Sequence, residues 1–249
     1  MTTDYNRDGV AQQYQHAKEQ PWRSRIESYS LMKRIGNLQE KRVVDVACGE
    51  GHFTRRLRQA GAREVLGFDL SERMIDLARS QECRQSLGIE YRVMDARTLV
   101  PQQDFDMAVS AWLLVYARQR EELAEMCRGL ARWLRPGGRF VTFTTNPDLY
   151  RFQPRMDYRR YGFEIQLADQ ASEGAPILWR IPVGDALLEI ENYYLPISAY
   201  ETAFKEAGFG DFAVHLPELA PHPQNEDDSS YWADFLHQPP AILIECVKQ

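Results

Sequence analysis

Residues 42–51, Arg42-Val43-Val44-Asp45-Val46-Ala47-Cys48-Gly49-Glu50-Gly51, carry the reading that decides the fold. A β-branched run over 42–46 stops at a turn with two glycines, and residues 53–57 then read as helix. Strand, glycine turn and helix in that order open a βαβ unit, because parallel strands need a crossover connection. Gly49 and Gly51 let the backbone approach a ligand where a Cβ would stand in the way. The helix that follows aims its first backbone N–H groups at whatever lies there.

The pattern repeats downstream. Residues 64–68 form a second strand ending at Asp69. Ser71 is placed to cap a helix with Met74, Ile75, Leu77 and Ala78 on one face. A third strand over 89–94 reaches Asp95, and a fourth over 105–110 runs into the apolar stretch 111–116. A helix over 118–134 is closed by Arg135-Pro136-Gly137-Gly138 ahead of a fifth strand, 139–144. Strands separated by helices of this length pair in parallel through right-handed crossovers. The expected class is therefore α/β, with a Rossmann-like, doubly wound sheet.

Beyond residue 146 the pattern changes. Runs over 177–183 and 186–193 meet at Gly184-Asp185 as a hairpin, and Pro182 argues for an edge position of the first. Ser198 to Glu201 reads as a capping box opening a helix to about residue 207. Runs over 211–216 and 241–247 supply the last strands of a seven-stranded sheet. The proline-bearing stretch 217–240 between them reads as a lid or binding loop. At the other end, Trp22, Ile26, Tyr29, Met32 and Ile35 recur at spacings of three and four, with Pro21 in the first turn. The expected organisation is one domain, 1–249. It comprises a helical N-terminal lid (1–40), a cofactor-binding core (41–146), an inserted β and aromatic cap (147–197), and C-terminal strands with a lid loop (198–249).

Composition narrows the functional classes. The chain's 249 residues are ample for a core. A net charge of −6 speaks against the basic stripe of a nucleic-acid binder, and the Arg155, Arg159, Arg160 group is short and interleaved with tyrosines. No apolar run approaches the roughly 20 residues of a membrane span, and the polar start does not read as a signal peptide. Cys48, Cys83, Cys127 and Cys246 are scattered, like reduced thiols of a cytoplasmic protein. Neither they nor His16, His52, His215, His222 and His237 show metal-ligand spacing. The expectation is a cytoplasmic monomer or homodimer acting on a small molecule, with no metal, nucleic-acid or membrane partner.

Asp69, at a strand end beside the glycine turn, is placed to accept hydrogen bonds from both hydroxyls of a ribose. Asp95 stands at the height of an adenine amino group. The dinucleotide fingerprint G-x-G-x-x-G needs a third glycine where this chain has Thr54, so a nicotinamide cofactor fits poorly. The acid Asp45, a small residue and two spaced glycines resemble instead the first motif of class I S-adenosylmethionine-dependent methyltransferases. Gly67-Phe68-Asp69-Leu70-Ser71 with Met74 resembles their second motif, Met94-Asp95-Ala96 their third, and Leu134 to Phe140 the turn before their fifth strand. Ala47 departs from the glycine of many members.

The resemblance implies that Asp45, Ala47, Cys48, Gly49, Gly51, Asp69, Leu70, Met74, Asp95, Ala96 and Ala111 hold S-adenosyl-L-methionine, with S-adenosyl-L-homocysteine as product. Tyr14 and Arg23 would close over it, Arg23 meeting the methionine carboxylate. A narrower similarity, to the toxoflavin synthase-like group, is carried by residues 47–51, Thr54-Arg55, residues 87–91, Leu113-Leu114, Tyr116-Ala117 and Asn192 to Leu195. It implies N-methylation of a nitrogen-heteroaromatic acceptor in antibiotic or toxin biosynthesis.

Methyl transfer is an in-line displacement that asks for alignment and a dry pocket. Trp112, Tyr116, Tyr161, Tyr193, Tyr194 and Trp232 are the expected acceptor-binding aromatics, with core packing as the alternative reading of each. No general base is evident; His215 and His222 are the candidates. O- or C-methylation of another metabolite, methylation of a macromolecule, a non-catalytic binding protein and a nicotinamide-dependent oxidoreductase are the alternatives.

Overall fold

The computed structural model describes residues 4–6, 9–98, 100, 101, 103–221 and 228–249. The chain opens with α1 (Val10–Ala17), a π-helical turn (Arg23–Ser28) and α2 (Tyr29–Ile35). Next come β1 (Arg42–Val46), α3 (His52–Gln59), β2 (Glu64–Asp69), α4 (Glu72–Arg84) and β3 (Glu90–Val93). They are followed by β4 (Phe105–Ala111), α5 (Arg120–Trp133) and β5 (Leu134–Thr145). A small antiparallel sheet of β6 (Glu164–Leu167), β7 (Pro176–Val183) and β8 (Ala186–Tyr193) interrupts the series. The chain closes with α6 (Ile197–Glu206), β9 (Phe209–His215), α7 (Asp228–His237) and β10 (Ala241–Lys248).

The seven-stranded sheet has the order β3-β2-β1-β4-β5-β10-β9. β1 pairs in parallel with both β2 and β4, so the winding direction reverses there, the position at which open α/β sheets bind ligands. β10 is antiparallel to both its neighbours. Alternation along β1 sends Val43 to one face and Val44 and Val46 to the other. The first face packs on Trp22, Ile26 and Ile35 of the N-terminal segment and on Trp179 and Ile181 of the small sheet. The second packs on Leu123 and Leu130 of α5 and Phe204 of α6. No helix among the described residues is long and apolar enough to cross a membrane.

Several details differ from the sequence expectations. β7 is the middle strand of the small sheet, not its edge. Its register with β6 stops at Arg180, so Pro182 lies past the end of β6 and its missing N–H leaves no ladder bond unmade. The Ser198 capping box is not formed. Extended Pro196 precedes the helix, Ile197 begins it, and Ser198 sits within the first turn. β5 starts at Leu134, with a register shift where the Pro-Gly-Gly turn bulges. The stretch expected to be loop between β9 and β10 contains α7, and β6 was not anticipated. Ser71 does cap α4, its hydroxyl accepting from the Met74 N–H at 3.2 Å.

Candidate active site

A cavity of about 450 Å³ opens at the C-terminal ends of β1, β2 and β4, within the usual range of small-molecule sites. Ala47 and Gly49 line it from the turn after β1, in left-handed conformations with φ of 57° and 56°. Ala47 thus holds, with a Cβ, a conformation that glycine adopts freely. Asp69 and Leu70 line it from β2, Met74 from α4, Asp95 and Ala96 from beyond β3, and Ala111 from β4. Tyr14 reaches in from α1. Nine of the sequence-expected cofactor residues therefore line one cavity.

The Asp69 carboxylate accepts from the Gly49 N–H (2.8 Å) and the Ser71 N–H (2.9 Å), tying the ends of β1 and β2 together. Burial raises its pKa, and these backbone donors oppose that rise. Asp95 lies against the Arg97 guanidinium (2.6 Å at closest), which holds its carboxyl below the ordinary range despite partial burial. A small recess adjoins the turn, lined by Asp45, Cys48, Gly49, His52 and Lys18 among others. Burial pushes the Asp45 carboxyl up to about 7, although it accepts from the Thr54 hydroxyl (2.6 Å). Burial and the nearby Lys18 ammonium push His52 down to about 3.

Two expected cofactor residues have other work. Gly51 precedes α3 as its N-cap at φ 84°, and a Cβ there would lie 2.5 Å from the Tyr91 Oη, so its bareness makes room for a tyrosine. Arg23 does not reach the turn. It is buried, donates to Glu27 (2.7 Å), and lies over the Trp22 ring. Lys18 occupies the recess instead, 3.7 Å from Glu27, with its ammonium over the Tyr14 and Phe53 rings.

Arg23 lines a second, smaller cavity of about 20 Å³, together with Trp179, Ile181, Ile190 and Asn192. Tyr14, Trp112 and Tyr116 border both cavities and form an aromatic partition between them. Trp112 has φ 71°, a strained conformation for a bulky residue, and is held by two bonds. Its backbone N–H donates to Phe143 (2.9 Å), and its indole N–H donates to Glu27. Burial would raise the Glu27 pKa, but Arg23, Lys18 and the Trp112 indole outweigh it and keep the carboxyl below its ordinary range. The wide π-helical turn buries both Arg23 and Glu27. Tyr116 is bonded to Tyr5 through their hydroxyls (2.6 Å), and burial pushes both phenols up.

The remaining expected acceptor residues are not brought here. Tyr161 and Trp232 stack on each other at 5.2 Å and border a surface groove between α1, β7 and α7. Tyr193 bonds with Arg118 and Glu191, and Tyr194 packs on Tyr150. His215 sits on the sheet-edge strand β9, 3.4 Å from Glu245 and three strands from β4. His222 lies outside the described residues. Sequence reasoning passed over Tyr5, Lys18 and Glu27. Lys18 carried a usable signal, since it follows Tyr14 by four residues and so shares its helix face. Glu27 carried only its i,i+4 spacing from Arg23, which reads equally as a solvent-facing ion pair. Among the described residues no group of His, Cys, Asp or Glu could hold a metal ion.

Residues 43–138, the span that builds this cavity, match the methyltransferase domain family. A solved S-adenosylmethionine dependent methyltransferase from Mesorhizobium loti is 25% identical, with a TM-score of 0.63, over 89% of this chain and 97% of that one. That span is a methyltransferase domain, and the chain is similar in sequence and fold to S-adenosylmethionine-dependent methyltransferases. The PH0226 protein of Pyrococcus horikoshii shares the fold of this methyltransferase at a TM-score of 0.65 and 23% identity, over 94% of this chain and 93% of that one. Among curated relatives, N-demethylindolmycin N-methyltransferase of Streptomyces griseus is 27% identical over 73% of this chain and 77% of its own length. A ubiquinone biosynthesis O-methyltransferase of Bordetella avium is 31% identical over only 49% of this chain and 51% of its own length.

The methyltransferase's residues fit an adenosyl group. The bare Gly49 has open space around its missing Cβ, the nearest atom being Tyr14 Cε1 at 3.9 Å. Asp69 offers carboxylate lone pairs at the same wall, and Met74 and Leu70 supply apolar surface.

Proposed function

We propose that this methyltransferase acts on a small, flat, nitrogen-heteroaromatic acceptor. The observation that carries the reading is the partition of Tyr14, Trp112 and Tyr116, which faces the cofactor wall on one side and the small cavity on the other. Such rings stack on a planar substrate and keep water out. The N-methyltransferase relative, matched over most of both chains, supports the same class.

In this reading Asp69 accepts from the ribose hydroxyls, Asp95 from the adenine amino group, and Met74 packs against the base. Lys18, beside the glycine turn, takes the carboxylate that sequence reasoning gave to Arg23. S-adenosylmethionine, when bound, supplies a methyl group on a positively charged sulfur. Trp112 and Tyr116 hold the acceptor nitrogen in line with it, and the methylated, still protonated product gives up the nitrogen's proton to solvent on leaving the pocket. Alignment of this kind is worth effective molarities of up to about 10⁵–10⁸ M, so no general base is required of the protein. The N-terminal segment and the small sheet, which pack on the same face of the large sheet, serve as lid and cap over the acceptor.

The test is a screen of N–H heteroaromatic and phenolic acceptors with methyl-labelled cofactor, products being located by mass spectrometry and NMR. N-methylated heterocycles are expected. Turnover of phenols alone would replace this reading with O-methylation.

A further inference from the structure

The small cavity behind the aromatic partition is rich in hydrogen-bond donors and poor in acceptors. Arg23 and Trp179 are each 3% exposed and line it. Arg23 Nε and the Trp179 indole N–H are buried with no hydrogen-bond partner among the described residues. Asn192 lines it too. Its amide oxygen already accepts from Thr145 (3.1 Å), which leaves its NH₂ group as the available end. Among the described residues no carboxylate or histidine lines this space. A buried donor without a partner is costly, so orphaned donors on residues that line one recess call for a ligand acceptor.

Size and charge narrow that ligand. About 20 Å³ holds a group the size of one water, not a ring. The ring itself would lie against Trp112 and Tyr116, with a single atom projecting into the recess. Arg23 is already paired with Glu27, so a neutral oxygen balances the recess better than a second carboxylate.

We propose that the acceptor bears a conjugated ring carbonyl and that Arg23, Trp179 and Asn192 receive its oxygen, Arg23 and Trp179 setting specificity for a lactam over a carbonyl-free heterocycle. The inference rests on the reading of the substrate as a small nitrogen heteroaromatic.

The test is calorimetric binding of two fused-ring probes, quinazolin-4-one (a lactam) and indazole (no oxygen), to full-length protein saturated with S-adenosylhomocysteine. A hydrogen bond to a charged donor corresponds to roughly 10-fold or more, so the lactam is expected to bind about 10-fold tighter than indazole. Arg23→Met is expected to erase that preference, and Trp179→Phe, which keeps the packing, to reduce it about 3-fold or more. S-adenosylhomocysteine affinity reports that each variant is folded. Equal binding of both probes to the wild type, or a preference untouched in both variants, overturns the inference alone. Failure of both probes to bind overturns the heteroaromatic reading beneath it as well.

Discussion

The indole nitrogen of Trp112 donates to the carboxylate of Glu27, a residue with no solvent exposure that also pairs with Arg23 and neighbours Lys18. One buried anion thus fixes the aromatic partition, the Arg23 cation of the small cavity and the Lys18 cation beside the glycine turn. Removing it leaves two cations buried without compensation. Glu27→Ala is expected to cost about 3–5 kcal/mol of folding stability in urea unfolding, in line with broken buried ion pairs. Glu27→Gln keeps an acceptor for the indole and is expected to lose less. A loss below about 1 kcal/mol for the alanine variant would show the network to be peripheral.

Asp45 and His52 flank the same recess and predict opposing pH dependences. Burial raises the Asp45 pKa from 3.8 to about 7, so the folded state binds that proton more readily than the unfolded chain. Its contribution is full at low pH and is lost as pH rises between about 4 and 7. His52 is pushed from 6.5 to about 3, so its stability is full above 6.5 and is lost as pH falls toward 3. Each displacement is worth roughly 4 kcal/mol over its window, and in the wild type the two largely cancel. Unfolding measured across pH 4–7 is expected to show stability rising with pH in Asp45→Asn and falling with pH in His52→Gln. Unchanged slopes in both variants would contradict these ionisation states.

Gly51→Ala puts a Cβ 2.5 Å from the Tyr91 hydroxyl at a left-handed position. Strain and overpacking together are expected to cost about 3 kcal/mol. Tyr91→Phe removes the atom that would clash, so the double variant is expected to recover part of the loss in thermal unfolding. Strict additivity would place the cost in the backbone alone.

The cofactor side was legible in the sequence because its chemistry is local. The glycine turn after β1, Asp69 and Asp95 lie at strand ends, where sequence pattern is strongest, and Ala47, Gly49, Asp69 and Asp95 line one cavity. Of the expected acceptor aromatics the structure brings only Trp112 and Tyr116 to the cavity, from the segment that follows β4. Tyr161, Tyr193, Tyr194 and Trp232 are equally aromatic but are consumed by packing with one another or with Arg118 and Tyr150, contacts that depend on tertiary placement. Glu27 was hidden by its type, since charged residues are seldom fully buried unless paired, and the Trp112 indole that completes its burial comes from a distant segment. His215 looked exposed to function at a strand end, but sheet order puts it on the wrong side of β5.

The central claim is that the ends of β1 and β2 grip an adenosyl group through Asp69. Calorimetric titration of S-adenosylhomocysteine into wild-type protein and Asp69→Ala tests it most directly. One site per chain is expected, weakened about 100-fold in the variant, the equivalent of about 3 kcal/mol for charge-assisted bonds to two hydroxyls. Equal affinity in the two proteins, or no binding to the wild type, would contradict the account.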